Sequence, residues 1–159
     1  GILDYKGVKL QIVEIPAIVE DFEYSDLGPS MLAIIRQSDL LIVTFKDKEE
    51  LKLIDKELYR IDINRVYYYN QEDIKDLIWK SLNLIKVYTK QPGKEKDFPP
   101  IALRKNSNVK DLAEYIHKDF LRKFDYARVF GPNSKFQGQR VGLNFNLKDE
   151  DVVELHLKD

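Results

Sequence analysis

Apolar positions along this chain switch repeatedly between a two-residue and a helical period, and the switches outline its elements. Residues 8–15 (Val-Lys-Leu-Gln-Ile-Val-Glu-Ile) partly alternate and predict a strand, ended by Pro16 because proline cannot donate to a ladder. An acidic, turn-rich stretch follows at 18–30, with Asp21, Glu23, Asp26, Gly28 and Pro29, and then a short helix with Met31, Ile34 and Ile35 on one face. The continuous apolar run Leu40–Phe45 predicts a strand buried on both faces, as in a parallel sheet. Leu51, Ile54, Leu58 and Ile61 recur at helical spacing and form one apolar stripe. Arg65–Tyr69 is a third strand. Asn70 is placed to cap a helix with Glu72 and Asp73 in its first turn, a buried face of Ile74, Leu77, Ile78 and Leu82, and Trp79 beside that face. Strand and helix alternate throughout, which is the pattern of an α/β unit.

The pattern changes near Asn83-Leu84, dividing the chain into domains 1–84 and 85–159. A strand at 85–89 leads into the charged loop 91–97, and Pro99-Pro100 forces extended backbone before a strand at 101–104. Ser107 or Asn108 caps a helix whose apolar positions are Val109, Leu112, Ala113, Ile116, Phe120, Leu121 and Phe124. Strands are expected at 126–130, 139–144 and 152–157, the last alternating Val153, Leu155 and Leu157 with Glu154 and His156. Two strands, a helix and further strands make an α+β module of β-grasp type.

Composition narrows the classes of function. The chain has 159 residues, room for one domain or two small ones, and 43 % of them are apolar, enough for an ordinary core. Without cysteine it has neither disulfides nor thiolate metal sites, and a reducing, cytoplasmic setting is permitted. No run approaches the roughly 18 apolar residues of a membrane helix, no secretory signal pattern is present, and no membrane partner is expected. The first residue, Gly1, is compatible with a fragment or a processed product.

The net charge of −1 conceals an asymmetry. Residues 1–84 carry 11 Lys and Arg against 16 Asp and Glu, whereas residues 85–140 carry 13 against 6. A basic block confined to one module is the footprint of a phosphate-bearing partner, set against the plainer alternative of a solvated Lys/Arg face.

The second module also carries unusual local sequence: Tyr88-Thr89-Lys90 before Pro92-Gly93, His117-Lys118-Asp119-Phe120, Tyr126-Ala127-Arg128-Val129-Phe130-Gly131-Pro132, and Gly138-Gln139-Arg140-Val141-Gly142. Residues 85–159 closely resemble the TGS domain of the developmentally regulated GTP-binding (DRG) proteins, relatives of the Obg GTPases. Residues 1–84 resemble separate parts of that family's GTPase domain. Gly1–Gly7 is similar to the stretch entering the strand before switch II, Ser38–Val43 to the strand after it, and Ile78–Leu82 to the end of the last helix. The resemblance implies a partial P-loop GTPase-like α/β sheet followed by a ubiquitin-like β-grasp domain. It also implies a translation context: an RNA or ribosome partner, or a regulatory protein, with no DNA specificity expected.

The departures from that family bear on catalysis. Its switch II motif is Asp-x-Pro-Gly, the Asp helping to hold Mg²⁺ and the Gly N–H reaching the γ-phosphate; the matching residues here are Glu14-Ile15-Pro16-Ala17. Glutamate is one methylene longer, and alanine lacks the φ/ψ freedom of glycine. The sequence contains no G-x-x-x-x-G-K-[ST] loop to cradle phosphates and no Asn-Lys-x-Asp motif to read guanine. The family's longer stretch between Phe45 and Lys46 is also missing. The expectation is a non-catalytic module with no nucleotide cofactor of its own. The alternative is a piece of an active GTPase whose GTP/Mg²⁺ motifs lie in a parent protein. Glu14, Pro16 and Ala17 are the only candidates for a degenerate nucleotide contact.

The remaining candidates are basic. Lys86, Lys90, Lys94, Arg104, Arg128, Lys135 and Arg140 form the expected RNA- or partner-binding set, since phosphates need cations spread over a surface rather than one fixed geometry. Phe98, Phe130 or Phe136 could stack on unpaired bases, and the loops Gly131–Lys135 and Gln137–Arg140 could let backbone approach RNA or simply turn between strands. An open sheet edge could take a partner strand, and the acidic loop Glu20–Asp26 could meet a regulatory protein. His117 and His156 lack telling ligand spacing and suit structural or surface roles. Tyr67, Tyr68 and Tyr69 suit sheet packing.

Overall fold

The computed structural model describes residues 1–70, 73–132 and 134–159, in two compact units. One comprises Gly1 and residues 11–82; the other comprises residues 2–10 and 83–159. Residues 2–10, expected with the first domain, thus group with the second. Strands β1 (Ile2–Tyr5) and β2 (Val8–Gln11) form a hairpin whose two-residue turn, Lys6-Gly7, has positive φ at both positions, as such turns require. A Cβ on Gly7 would lie 2.6 Å from the Phe98 ring and 2.8 Å from Pro100, so the hairpin's turn packs against the 98–100 segment of the same unit. The expected strand 8–15 stops at Gln11, because β1 offers nothing to pair with beyond Gly1, which bonds Ile12.

The first unit contains α1 (Gly28–Gln37), β3 (Leu41–Thr44), α2 (Lys48–Glu57), β4 (Arg65–Tyr68) and α3 (Ile74–Leu82). Strands β3 and β4 pair in parallel, with α2 as the crossover. Its core is Phe22, Leu32, Ile35, Val43, Ile54, Leu58 and Ile61. Leu32 rather than Ile34 accompanies Ile35 into that core. Of the run expected to be buried on both faces only Val43 is; Leu41 and Ile42 are half-buried and Thr44 is exposed, because in a two-stranded sheet both strands are edges. Asp47 caps α2 by accepting from the Glu50 N–H at 2.9 Å. The helix ends at Glu57, yet Leu58 and Ile61 remain buried in the turn that follows, where the Arg65 guanidinium donates to both of their carbonyls. Asn70 has left-handed φ, and Asp73, not Asn70, directly precedes α3. Glu72 lies outside the described residues. Trp79 is buried.

The second unit adds β5 (Leu84–Thr89), β6 (Ile101–Arg104), α4 (Val109–Ile116), α5 (Lys118–Arg122), β7 (Phe124–Phe130), β8 (Gln139–Val141) and β9 (Val152–Leu157). The sheet runs β6-β5-β9-β7-β8, with β5 and β9 parallel and the other neighbours antiparallel. This mixed order, with one helix packed on the sheet, is the β-grasp arrangement expected from the pattern. Ile85, Val87, Leu103, Ala127, Val129, Val141 and Val153 cluster with Val109 and Leu112 of α4 in the core. Asn108, not Ser107, is the cap: it accepts from Asp111 N–H while the Asp111 carboxylate accepts from Asn108 N–H, a complete capping box. The single helix expected through Phe124 is broken at His117, whose backbone is extended and whose Nδ1 accepts from the Asp119 N–H at 3.1 Å, restarting the chain as α5. Phe124 opens β7 instead, and an irregularity between Phe124 and Tyr126 resets the strand's alternation.

Candidate nucleic-acid interface

Alternation along the sheet of the second unit assigns its two faces. Ala127, Val129 and Val153 point to α4, so Tyr126, Arg128, Phe130, Glu154 and His156 share the opposite face. Register then sets the neighbours: Tyr126 faces His156, and Arg128 lies between Glu154 on β9 and Arg140 on β8. The Tyr126 and His156 rings stack at 4.2 Å with 11° between planes, and the Arg140 guanidinium stands 3.9 Å from the Tyr126 centroid. The Arg128 guanidinium is 5.9 Å from the same ring. An imidazole, a phenol and a guanidinium therefore form a row across three strands.

Glu154 is buried beneath this row. Its carboxylate meets His156 Nε2 at 2.5 Å and Lys90 Nζ at 3.9 Å. The Lys90 ammonium also lies 4.5 Å from the Phe130 centroid, and Lys96 lies 3.9 Å from that of Tyr88. Burial, and after it the Glu150 carboxylate, raise the Tyr88 phenol above the usual tyrosine value. Gly138, with positive φ, brings its Cα against the Phe130 ring and the Arg128 side chain; a Cβ there would sit 3.3 Å from the ring.

The seven basic candidates do not form one site. Lys90, Arg128 and Arg140 converge on this face. Lys86 does not serve it: it is 3 % exposed, its ammonium pairs with Asp149 at 3.3 Å and Glu150 at 3.2 Å, and it stands over Tyr5 of the hairpin. The hairpin's Tyr5 ring, 5.7 Å from the Lys86 ammonium, stands on the side of β5 to which Lys86 points. Arg104 is on β6, the edge strand opposite β8, roughly 19 Å away at four strand spacings. Lys94 is exposed in the 91–97 loop, and Lys135 is exposed in the 131–138 loop, its N–H donating to Gln139 Oε1 at 3.1 Å. The Gln137 amide both donates to and accepts from the Gly131 backbone at 3.0 Å, so that loop is held as a turn; Asn133 within it lies outside the described residues. Phe98 and Phe136 are exposed, whereas Phe130 is half-buried.

In the first unit, Tyr67 and Tyr69 are exposed rather than packed in a core, Tyr67 donating to Asp55 and Tyr69 stacking on Phe45. Glu20 of the acidic loop pairs with Lys56 at 3.2 Å. Glu14, Pro16 and Ala17 are exposed on an irregular segment. Among the described residues no three His, Cys, Asp or Glu side chains converge as metal ligands. Among the same residues no helix is long and apolar enough to cross a membrane.

Sequence reasoning missed the row made by Tyr126, His156 and Arg140. The alternation of each strand was legible, but only the pairing register puts Tyr126 opposite His156.

Comparison with known proteins agrees with the resemblance. Residues 85–157 match the TGS domain family. An uncharacterized GTP-binding protein of Methanocaldococcus jannaschii is 36 % identical over 80 % of this chain and 33 % of its own length. Ribosome-interacting GTPase 1 of Saccharomyces cerevisiae is 38 % identical over 67 % of this chain and 30 % of its own. A solved GTP-binding protein from Pyrococcus horikoshii OT3 aligns with a TM-score of 0.46 at 18 % identity, covering 74 % of this chain and 45 % of that one. The chain thus spans about a third of the length of these curated relatives.

Proposed function

Since the chain belongs with the developmentally regulated GTP-binding proteins and carries a TGS domain, we propose that its second unit attaches the protein to RNA, free or on a ribosome, and performs no catalysis itself. The observation that carries this reading is the convergence of Arg128, Arg140 and Lys90 with Tyr126 and Phe130 on one sheet face. Cations beside aromatic rings suit phosphates and bases together. The name of the yeast relative supports the ribosomal setting. Such a role belongs in the cytoplasm.

The test is the pair R128E/R140E, assayed for binding to RNA and to purified ribosomes at low salt, with circular dichroism to verify folding. Lys90 is left intact because K90E would put a second carboxylate beside buried Glu154. Loss of binding with the fold retained is expected; binding equal to wild type sinks the proposal.

A second reading has its own support in the share of the relatives that this chain spans. On it, the sequence is a piece of a longer GTP-binding protein, and GTP and Mg²⁺ are held by motifs outside these 159 residues. Calorimetry of the chain with GTP and GDP in the presence of Mg²⁺ should then give no heat of binding, while the product of the parent gene should bind. A parent gene encoding no phosphate-binding loop would dismiss this second reading.

A further inference from the structure

Arg128 and Arg140 are register partners, so two guanidinium groups project side by side from one face. Like charges directly opposite on paired strands oppose folding. Glu154, the other neighbour of Arg128, is engaged by His156 and Lys90. Among the described residues neither guanidinium has a hydrogen bond or ion pair. The site is thus short of an anion.

Beside it, the row His156–Tyr126–Arg140 ends on β8, the edge strand, so no further strand covers the far side of Arg140. A planar guanidinium backed by a phenol is a platform on which another flat group can stack.

We propose that this face is a site for unpaired RNA: the Arg128–Arg140 pair takes one backbone phosphate, and the adjoining base extends the row on Arg140. The proposal rests on the RNA-contact reading and specifies the form of RNA. A duplex offers phosphates and 2′-hydroxyls, but its base faces are stacked inside and cannot use the platform. Gly138 fits this use, since the lack of a side chain keeps the space over Phe130 and Arg128 clear.

Fluorescence anisotropy on the full chain tests this with two labelled probes of equal phosphate count: an unstructured oligoribonucleotide of about 12 nucleotides, a length such platforms span, and a blunt RNA duplex. R140K keeps the charge and removes the plane. The unpaired probe should bind about tenfold tighter than the duplex, and R140K should lose about that factor on the unpaired probe alone. Equal affinity for both probes, or an R140K loss shared by both, overturns the unpaired-RNA site and leaves general RNA contact standing. If wild type binds neither probe more tightly than R128E/R140E does, RNA contact through this face falls, and the unpaired-RNA site falls with it.

Discussion

Arg128 and Arg140 oppose each other directly across β7 and β8, and among the described residues neither guanidinium makes an ion pair with a carboxylate. Removing one charge should relieve the pair: R128Q is expected to raise stability by about 0.2–1 kcal/mol while weakening RNA binding. Chemical denaturation paired with an RNA titration checks both signs. A destabilised variant would mean that Arg128 serves the fold.

Lys86 should behave in the opposite way. Its ammonium is buried against Asp149 and Glu150, each itself almost half exposed. D149N/E150Q would leave that ammonium without these two carboxylates and should cost about 3–5 kcal/mol. K86M leaves only half-solvated carboxylates, so it should cost much less and leave RNA affinity unchanged. Equal losses in the two variants would argue against this division of roles.

The capping box predicts a local effect. N108A removes the acceptor for Asp111 N–H and should cost about 1 kcal/mol, measured as a lower denaturation midpoint at constant m-value. Ser107→Ala should leave the cap intact, because Asn108 makes both of its hydrogen bonds.

Tyr88 links stability to alkaline pH. Burial first, then Glu150, raises its phenol above the ordinary value, so the folded state retains the proton that the unfolded chain loses. The contribution is present in full below about pH 10, the unfolded value, and disappears as pH rises from there through the folded value. Y88F should therefore lose less stability than wild type between neutral and strongly alkaline pH. Parallel denaturation curves at the two pH values would show it; identical losses would rule Tyr88 out as the titrating group.

Which parts of this molecule could be read in advance follows from the range of the forces involved. The β-grasp module was legible because its alternation and its cap are local: Val153 and Leu155 against Glu154 and His156, and Asn108 before Val109. The break at His117 was hidden, because Phe120 and Leu121 continue the helical spacing while the His117 ring, capping the next turn, ends the first helix. Lys86 looked like any surface lysine, and only the fold sets Tyr5 of the hairpin and Asp149 against it. The basic block was visible as a count, yet its division into Lys90, Arg128 and Arg140 on one side and Arg104 on the far edge depends on strand order, which no local pattern encodes.

The most direct measurement is the salt dependence of binding to the unpaired RNA probe, compared between wild type and R128Q/R140Q. Each phosphate neutralised contributes about 0.7 to the slope of log affinity against log salt on a single strand. Since the pair takes one phosphate, the variant's slope should fall by about 0.7; a fall of about twice that would mean that the two arginines hold separate phosphates. A slope and affinity equal to wild type would contradict RNA contact through this face.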